Sequence, residues 1–533
     1  MLLDAVPCNP LSKVGLKTLL PGMRATLLIF LLVAIPMSAS VAGDHVSVQQ
    51  FNHEQVLGTS FEFKVFDSSR EQAVKAEAAA LAEIDRLAKI LSSYDSRSEV
   101  SRWQRTRNEA VAVSAELGCI LRLFDYWRAR TGGALDPAAA AVARVWQEAE
   151  SRGQIPSDDE RARVVAEVSR PHWLLDGDGS RASHLSDTPL VFNSLTKSFI
   201  LEGAATAAMR AAAPAGVLLN LGGDIVVRGD AREIVAIADP QAIGDNAAPL
   251  DRIIVKGGAV ATSGNYHRGF DICGHHYSHI VDPRTGLTAE AVLSATVIAQ
   301  DGSTAGAMAT SMCVLTPDES ARLAAKHRGT EYLIVMRDGQ RLQSPGWTSL
   351  QRPAHPAYLM PASIVLASGP ASIAPKEDRG MELVIELELK RIADVRYRRP
   401  YVAVWIEDKD KFPVRTLALW YGKPRWLPDL KIWVKGDQLR KLVDATDLAT
   451  TISSATRSAG KYTLKWDGKD DKGVPVKPGN YTIMIEAARE HGTYQLMKQE
   501  MEFTGAPKQI KLKGNAEIEG ATLDYRRKTG AGT

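Results

Sequence analysis

Ala261-Thr-Ser-Gly-Asn-Tyr-His-Arg268 and Tyr277-Ser-His-Ile-Val-Asp-Pro-Arg-Thr-Gly286 are the most informative stretches of this chain of 533 residues. They bring hydroxyls, histidines, a carboxylate and turn glycines into about the length of one hairpin. Just upstream, the apolar run Gly216-Val-Leu-Leu219 leads directly into the glycine turn Asn220-Leu-Gly-Gly-Asp224. Glycine lets backbone approach a ligand closely, and clustered His, Asp and Ser/Thr side chains supply acid/base and phosphate-contacting groups. These segments therefore predict a catalytic or ligand-binding site.

Helical and strand patterns alternate irregularly around these segments. Phe61, Phe63 and Val65 alternate with charged residues, as in a half-buried strand, and an apolar stripe at helical spacing runs from Val74 to Leu91. Further helices are predicted at 114–130, 136–150, 202–212, 304–315 and 318–326, and further strands at 217–220, 226–227, 234–238, 259–262 and 295–299. Because strands and helices mix without a regular βαβ alternation, the expected fold class is α+β, with a layered domain over 43–350.

The composition changes at residue 351. Residues 351–379 are rich in Pro, Ala and Ser, which is typical of a linker. From 380 to 525, alternating runs such as 383–389 and 402–406 are separated by Gly, Asp and Pro turns. This pattern predicts an all-β sandwich domain, and residues 526–533 are expected to form a tail.

Residues 1–42 have the pattern of a secretory signal peptide. Arg24 precedes the apolar run 27–35, and Ser40-Val-Ala42 supplies small residues for a cleavage site. The apolar run is too short to span a bilayer comfortably, and no cysteine follows the small residues to carry a lipid anchor. Met23 is an alternative start. We therefore expect the mature chain to be exported to the periplasm without a stable transmembrane segment.

Charge and cysteine content narrow the possible functions. The 65 basic and 62 acidic residues leave a net charge of +3, which gives no argument for nucleic-acid binding. Cys8 would leave with the signal peptide. Cys119, Cys273 and Cys313 form no metal-ligand spacing, so we expect them to be buried apolar thiols.

Further segments occur in the order seen in a known family. They are Leu57-Gly-Thr59, Leu91-Ser-Ser-Tyr-Asp-Ser-Arg-Ser-Glu-Val-Ser101, Gly132-Gly-Ala-Leu-Asp-Pro137 and Ala307-Met-Ala-Thr310. With the segments above, they make residues 55–340 resemble the ApbE family, periplasmic enzymes that use FAD to attach FMN covalently to other proteins. The resemblance implies Mg²⁺-dependent transfer of FMN from FAD to a Thr or Ser hydroxyl of an exported or membrane-anchored flavoprotein, with release of AMP. Fusion to an immunoglobulin-like β domain without assigned chemistry resembles a known two-part architecture.

The resemblance also implies roles for individual residues. His279 would be the acid/base for the hydroxyl proton, with Asp282 beside it, and Tyr94 would stack on the isoalloxazine ring. The other residues that it places around FAD are Asp136, Lys197, Asn220, Gly222, Ser263, Gly264 and Thr285. For Mg²⁺ it implies the backbone carbonyl of Thr196 and the hydroxyl of Thr310.

Plain structural interpretations stay open for the same positions. Tyr94 also suits a helix cap, the turn at Asn220 an ordinary hairpin, and Asp282-Pro283 the opening of a turn beside a hydrogen-bonded His279. Residues 262–264 are expected to form a hydroxyl-bearing turn that suits a pyrophosphate, although loops of Ser and Gly are common. Lys197 also suits an ordinary surface position, because most lysines are solvated surface groups.

The chain departs from the family at two places. The family signature Asp-Leu-Gly-Gly-x-Ala-Lys-Gly becomes Val191-Phe-Asn-Ser-Leu-Thr-Lys-Ser198, and the metal motif Asp-Ala-x-Ala-Thr becomes Gly306-Ala-Met-Ala-Thr310. The second change removes a carboxylate, and Mg²⁺ normally binds at least one carboxylate alongside substrate phosphates. Asp301 would replace it only if the loop folded back.

Three functions therefore compete. An FMN transferase is favoured, because the segment around His279 is intact. A flavin-binding protein that lost its chemistry through Gly306 is the second, and a second domain that docks a redox partner is the third. Zinc at His275, His276 and His279 is disfavoured, because residues three apart in a strand face opposite sides and no third ligand is evident.

Overall fold

The structure is a computed structural model of the chain. It describes residues 47–242, 246–247, 249–264, 269–351, 380–392, 399–421, 424–444, 453–454, 456–489 and 492–528. The expected signal peptide, with Cys8 and Met23, and the expected linker from 352 to 379 lie outside the described residues. Among the helices of the described part, none combines the length and the apolar character needed to cross a membrane.

Residues 47–351 combine helices with one large sheet and two small ones. The helices are α1 (Arg70–Leu91), α2 (Glu99–Trp103), α3 (Ala115–Arg130), α4 (Ala139–Arg152), α5 (Asp158–Val168), α6 (Asn193–Ala212), α7 (Gly302–Met312), α8 (Pro317–Ala325) and α9 (Trp347–Leu350). The strands are β1 (Val48–Val56), β2 (Thr59–Phe66), β3 (Ala110–Ala112), β4 (Trp173–Leu175), β5 (Arg181–His184), β6 (Gly216–Leu221), β7 (Asp224–Ile237), β8 (Asp251–Gly264), β9 (Gly269–Ile272), β10 (His275–Ser278), β11 (Val292–Ala299), β12 (Glu331–Met336) and β13 (Arg341–Gln343).

The large sheet is antiparallel, in the order β1-β2-β6-β7-β8-β11-β12-β13. Helices α1, α6 and α7 pack against one face. Along β6, Val217 and Leu219 lie in the core under these helices, whereas Leu218 lies in a separate core on the other face. Because successive strand residues point to opposite faces, this alternation decides which side chains of the sheet can reach a site beside the helices.

Helix α1 confirms the predicted helix, but in its first turns the residues that face the core are not those of the expected apolar stripe. A capping box at Ser69 begins it and satisfies two of the free amides of its first turn. Ala73, Ala76 and Ile84 are among its buried residues, whereas Val74 is 45% exposed. The small alanines face the core because α6 packs closely against α1, so the expected stripe is wrong in the first turns.

Three elements near the predicted site differ from expectation. Helix α6 begins at Asn193 rather than at residue 202, and residues 226–238 belong, up to Ile237, to the single strand β7. The expected turn at 262–264 is wrong, since these residues complete β8 and pair with β11, Ser263 opposite Ala295. The hydrogen bonds to β11, which local sequence does not reveal, hold this segment extended.

Residues 380–528 form two sheets around a shared core, which confirms the α+β domain followed by a β-sandwich. The elements are β14 (Met381–Leu389), β15 (Tyr401–Glu407), β16 (Pro413–Trp420), a 3₁₀ helix (Pro424–Asp429), α10 (Lys431–Asp444), β17 (Ser453–Ser454), β18 (Gly460–Trp466), β19 (Gly479–Ala488), β20 (Tyr494–Phe503), β21 (Lys508–Lys513) and β22 (Ile518–Arg527). The sheets have the orders β18-β14-β22-β21 and β17-β16-β15-β19-β20, and Leu383 and Val402 meet in the core between them. Helix α10 was not expected, and β22 runs past the expected start of the tail at 526.

The three described cysteines are free thiols. Cys119 and Cys313 are buried as expected, and burial raises the pKa of Cys313 to about 12. Cys273 is exposed, so the expectation of a buried thiol is wrong there. It lies in the tight turn between β9 and β10 with a φ of 50°, and such turns run over the protein surface.

Candidate active site

A cavity of about 860 Å³ lies on the face of the large sheet that carries the helices. This volume is in the range of sites that hold a cofactor, about 300–1,000 Å³. The predicted site residues that line it are Tyr94, Asp136, Lys197, Gly222, Ser263, Gly264, His279 and Thr310, together with Gly306. Residues that are far apart in the sequence therefore meet in one place.

Tyr94 stands at the rim of this cavity. It is 86% exposed, and its hydroxyl accepts a hydrogen bond of 2.9 Å from the side chain of Asn193 at the start of α6. The cap of α1 is Ser92 instead, so a capping role for Tyr94 against the core does not hold. An exposed aromatic ring fixed by its hydroxyl is suited to stacking on a planar ligand.

The end of β8 and helix α7 form another wall. The hydroxyls of Ser263 and Thr310 lie 3.2 Å apart. Ser263 faces α7 because it shares a strand face with the core residue Ala261. Together they present two hydroxyl groups to the cavity.

Gly306, one turn before Thr310 on α7, faces α6 closely. A Cβ atom at position 306 would lie 2.7 Å from the Ser198 hydroxyl oxygen and 3.2 Å from the Ser194 carbonyl oxygen. Asp301 does not fold back to replace the missing carboxylate. It caps α7, because its two carboxylate oxygens accept hydrogen bonds from the amide and the hydroxyl of Thr304 at 2.9 and 2.8 Å.

Asp224, the first residue of β7, is a cavity residue that the predicted set lacks. The Ser198 hydroxyl donates a hydrogen bond of 3.3 Å to its carboxylate. Burial raises the pKa of Asp224 to about 6, although the charge of Lys197 and the hydrogen bond from Ser198 act in the lowering direction. Acids with such shifts that lie in a cleft are candidates for function.

Asp136 lines the cavity from the turn before α4, but its carboxylate already has partners. It forms an ion pair of 2.7 Å with Arg128 and accepts the amide of Ala138 at 2.8 Å. Burial nevertheless raises its pKa. These contacts fix the turn before α4.

The sequence profile of the ApbE family matches residues 57–334. The chain belongs to the ApbE family. This confirms the resemblance and the prediction that the chain is a member of a family of flavin-transferring enzymes. A second profile, described as a predicted periplasmic protein of unknown function (DUF2271), matches residues 382–520.

Named ApbE relatives support this membership. The FAD:protein FMN transferase of Treponema pallidum is 27% identical over 340 residues, which covers 59% of this chain and 92% of the relative. The enzyme of the same name from Haemophilus influenzae is 27% identical over 326 residues, covering 58% and 92%. The crystal structure of the ApbE protein of Thermotoga maritima has a TM-score of 0.50 at 25% identity and covers 57% of this chain and 100% of that one.

Not every residue that the ApbE resemblance assigned reaches the cavity. His279 follows β10 and lines it, but Asp282 does not and instead forms an ion pair of 2.9 Å with Arg284. The Asp282 carbonyl accepts the Gly286 amide at 2.9 Å, and the exposed Thr285 accepts the Leu287 amide at 3.3 Å. The carboxylate and hydroxyl predicted for the ApbE site thus stabilise a turn behind His279.

Asn220 and Thr196 also lie off the cavity wall. Asn220 accepts the Gly223 amide at 3.1 Å and donates to Glu62 at 3.4 Å, contacts that also suit an ordinary hairpin turn. It shares a strand face with Leu218 and points away from the helices. Thr196 is buried in the first turn of α6, where its hydroxyl donates to the Phe192 carbonyl at 2.8 Å.

The histidines considered for zinc lie at the β9–β10 hairpin. His275 and His276 are exposed in β10, and His276 lies 2.8 Å from the carboxylate of Asp271. Within the part of the chain that the structure describes, no group of three or more His, Cys, Asp or Glu side chains is arranged to hold a metal ion.

Proposed function

We propose that this protein transfers the FMN moiety of FAD to a Thr or Ser hydroxyl of a target flavoprotein outside the cytoplasm, with release of AMP and with Mg²⁺ as cofactor. The observation that carries the proposal is the meeting of Tyr94, Lys197, Ser263 and His279 in one cavity of about 860 Å³. These side chains supply a stacking surface, a positive charge, a hydroxyl and an acid/base group. Membership of the ApbE family supports the same reaction.

The reaction is a phosphoryl transfer. The acceptor hydroxyl oxygen attacks the phosphorus atom on the riboflavin side of the FAD pyrophosphate, and a new P–O bond forms. The bond from that phosphorus to the bridging oxygen breaks, and the oxygen leaves with AMP. His279 accepts the hydroxyl proton, and Lys197 offsets the charge on the phosphates.

The donors in the cavity fit Mg²⁺ if FAD completes the set. The Thr310 hydroxyl lines the cavity, and the Ser194 carbonyl oxygen comes within 3.2 Å of a Cβ position at residue 306. The Asp224 carboxylate lines the same cavity, and Mg²⁺ commonly binds one or two carboxylates plus substrate phosphates. When bound, Mg²⁺ would neutralise charge on the pyrophosphate. The predicted ligand Thr196 would take part only through its backbone.

Two features support an acceptor in the periplasm or at the membrane. The pattern of residues 1–42 is that of a signal peptide. The family of the second domain is described as predicted periplasmic. We therefore propose that the target flavoprotein is exported or anchored at the membrane.

Replacement of His279 tests the proposal. We expect His279→Ala to lower FMN transfer at least about 100-fold, the usual contribution of a general base, while FAD binding stays within about two-fold. Transfer is followed as flavin fluorescence on the acceptor in a denaturing gel and as AMP by chromatography, with Mg²⁺ or EDTA. His276→Ala is the matched control, because His276 is an exposed histidine of the same hairpin that pairs with Asp271. Equal transfer by both variants would exclude His279 as the base.

A flavin-binding protein without transfer is the second candidate, and Gly306 is the observation that favours it. This candidate predicts that the protein with residues 43–533 binds FAD tightly yet releases no AMP with acceptor domains and Mg²⁺. AMP release that requires Mg²⁺ would exclude it. The same assay on the protein with and without residues 380–533 measures the contribution of the second domain to FAD binding and AMP release.

A further inference from the structure

The space beside Gly306 is already filled in this chain. The Ser198 hydroxyl oxygen lies 2.7 Å from the position that a Cβ atom at residue 306 would take. Ser198 is 3% exposed and stands in the second turn of α6, the helix that packs against α7. A side chain at position 306 and the present rotamer of Ser198 therefore exclude each other, because carbon and oxygen atoms do not approach so closely without a bond.

Ser198 connects this space to a carboxylate from the sheet. Its hydroxyl donates a hydrogen bond of 3.3 Å to the Asp224 carboxylate. Asp224 lies on the helix side of β7, the face that also carries the core residue Val226. The Ser198 hydroxyl therefore lies between the Asp224 carboxylate and the space beside Gly306, and both residues line the same cavity.

Other residues that line this cavity also carry oxygen atoms that can bind a cation. Thr310 lies one turn after Gly306 and contacts the Ser263 hydroxyl at 3.2 Å, and the Ser194 carbonyl oxygen lies 3.2 Å from the Cβ position at residue 306. Asp224, Ser263 and Thr310 all line one cavity. Hydroxyl, carbonyl and carboxylate oxygens are the donors that Mg²⁺ and Mn²⁺ prefer.

We propose that Asp224, positioned by Ser198, supplies the carboxylate for the divalent cation in place of a side chain at position 306. The inference rests on the proposed function for the identity of the cation site. Its chemistry is that of a hard divalent cation shared with the phosphates of FAD. Lys197 is the competing partner of Asp224, because its charge acts on the same carboxylate.

The test measures Mn²⁺ binding rather than activity. Mn²⁺ is titrated into the FAD-loaded protein with residues 43–533, and free Mn²⁺ is followed by electron paramagnetic resonance. We expect Asp224→Asn to bind Mn²⁺ at least about 10-fold more weakly, with FAD affinity retained. Asp271→Asn is the matched control, because Asp271 is exposed and contacts His276 instead. Unchanged Mn²⁺ affinity in Asp224→Asn would overturn the inference and leave Asp224 as a counter-ion of Lys197.

A rescue experiment keeps the inference testable if Asp224→Asn alone is unstable. The double variant Ser198→Gly/Gly306→Asp removes the clash with the Ser198 hydroxyl and introduces a carboxylate at residue 306. We expect this double variant to bind Mn²⁺ equally well whether or not Asp224→Asn is added to it. A loss of Mn²⁺ affinity of about 10-fold or more on adding Asp224→Asn to the double variant would contradict the replacement. Mn²⁺ binding that depends on Asp224 in a protein without FMN transfer would support this inference while excluding the proposed function.

Discussion

Asn220 and Asp224 belong to one short glycine turn, yet they point to opposite faces of the large sheet. Asn220 shares a face with Leu218, in the core away from the helices, whereas Asp224 shares a face with Val226, in the core beneath them. Strand alternation explains the difference. The run before the turn, Val217-Leu-Leu219, is apolar on both faces of the sheet, so the sequence shows no alternation that would have distinguished Asn220 from Asp224.

The exposed ring of Tyr94 leads to a prediction about FAD affinity. Because its ring is exposed at the rim, we expect Tyr94→Ala to weaken FAD binding about five- to ten-fold, the equivalent of about 1 kcal/mol of stacking. Tyr94→Phe keeps the ring and loses only the hydrogen bond from Asn193, so its FAD affinity should stay within about two-fold of wild type. Quenching of flavin fluorescence measures both. Equal affinity of Tyr94→Ala and wild type would show that the flavin lies elsewhere.

The predicted site residues differ in whether they reach the cavity. Tyr94 and His279 reach the cavity because each follows closely on the end of a helix or strand. Asp282 and Thr285 do not line it, since a tight turn uses both groups for its own hydrogen bonds. Polar residues of turns often serve such local bonds, and sequence alone does not distinguish this use from a catalytic one.

Helix α7 carries both Gly306 and Thr310, so the cap that stabilises its first turn also helps to position these two residues. Asp301 caps it by accepting the Thr304 amide at 2.9 Å. We expect Asp301→Ala to lower the free energy of unfolding by about 1 kcal/mol, measured by urea denaturation of the protein with residues 43–533. Asp301→Asn retains an acceptor for that amide and should stay within about 0.5 kcal/mol of wild type, because Asn and Asp are about equally good N-caps. If Asp301→Ala abolished Mn²⁺ binding without loss of stability, Asp301 would be a ligand rather than a cap.

The sequence predicted helices correctly where a capping box marks their start. It missed the bounds of elements that are set by packing or by pairing with a neighbouring strand. Ser69 and Thr316 begin α1 and α8 with capping boxes, and both helices were expected. Helix α6 begins after Phe192 without a side-chain cap, so no start signal exists in the sequence. The sequence predicted two strands where the structure has the single strand β7. The pairing of β7 with β8 shifts register between Val227 and Arg232 but continues on both sides of this irregularity, so the two predicted strands are parts of one strand.

At the scale of the whole molecule, the two family profiles cover 57–334 and 382–520. They fall inside the predicted domains 43–350 and 380–525, whose limits remain proposals. The facing surfaces of the two parts are polar and enclose a cavity of about 760 Å³. Glu62, Lys64 and Glu233 line it from the sheet, and Arg457 and Tyr462 line it from the sandwich. Polar contacts of this kind usually permit domains to move relative to one another.

Asn246 connects the two parts through two hydrogen bonds. Its side-chain amide donates to the Lys465 carbonyl at 2.7 Å and accepts the Lys465 amide at 2.8 Å. Lys465 lies in β18, which is an edge strand of its sheet, so Asn246 satisfies backbone groups that a neighbouring strand would otherwise pair.

We expect Asn246→Ala to remove both hydrogen bonds and to favour separation of the two parts by about 1–2 kcal/mol. Small-angle X-ray scattering of the protein with residues 43–533 should then give a larger radius of gyration, while far-ultraviolet circular dichroism stays unchanged. Gln241→Ala is the control, because Gln241 is exposed in the same connection between β7 and β8. Scattering curves that coincide for wild type and Asn246→Ala would mean that the remaining polar surface holds the two parts together without this amide.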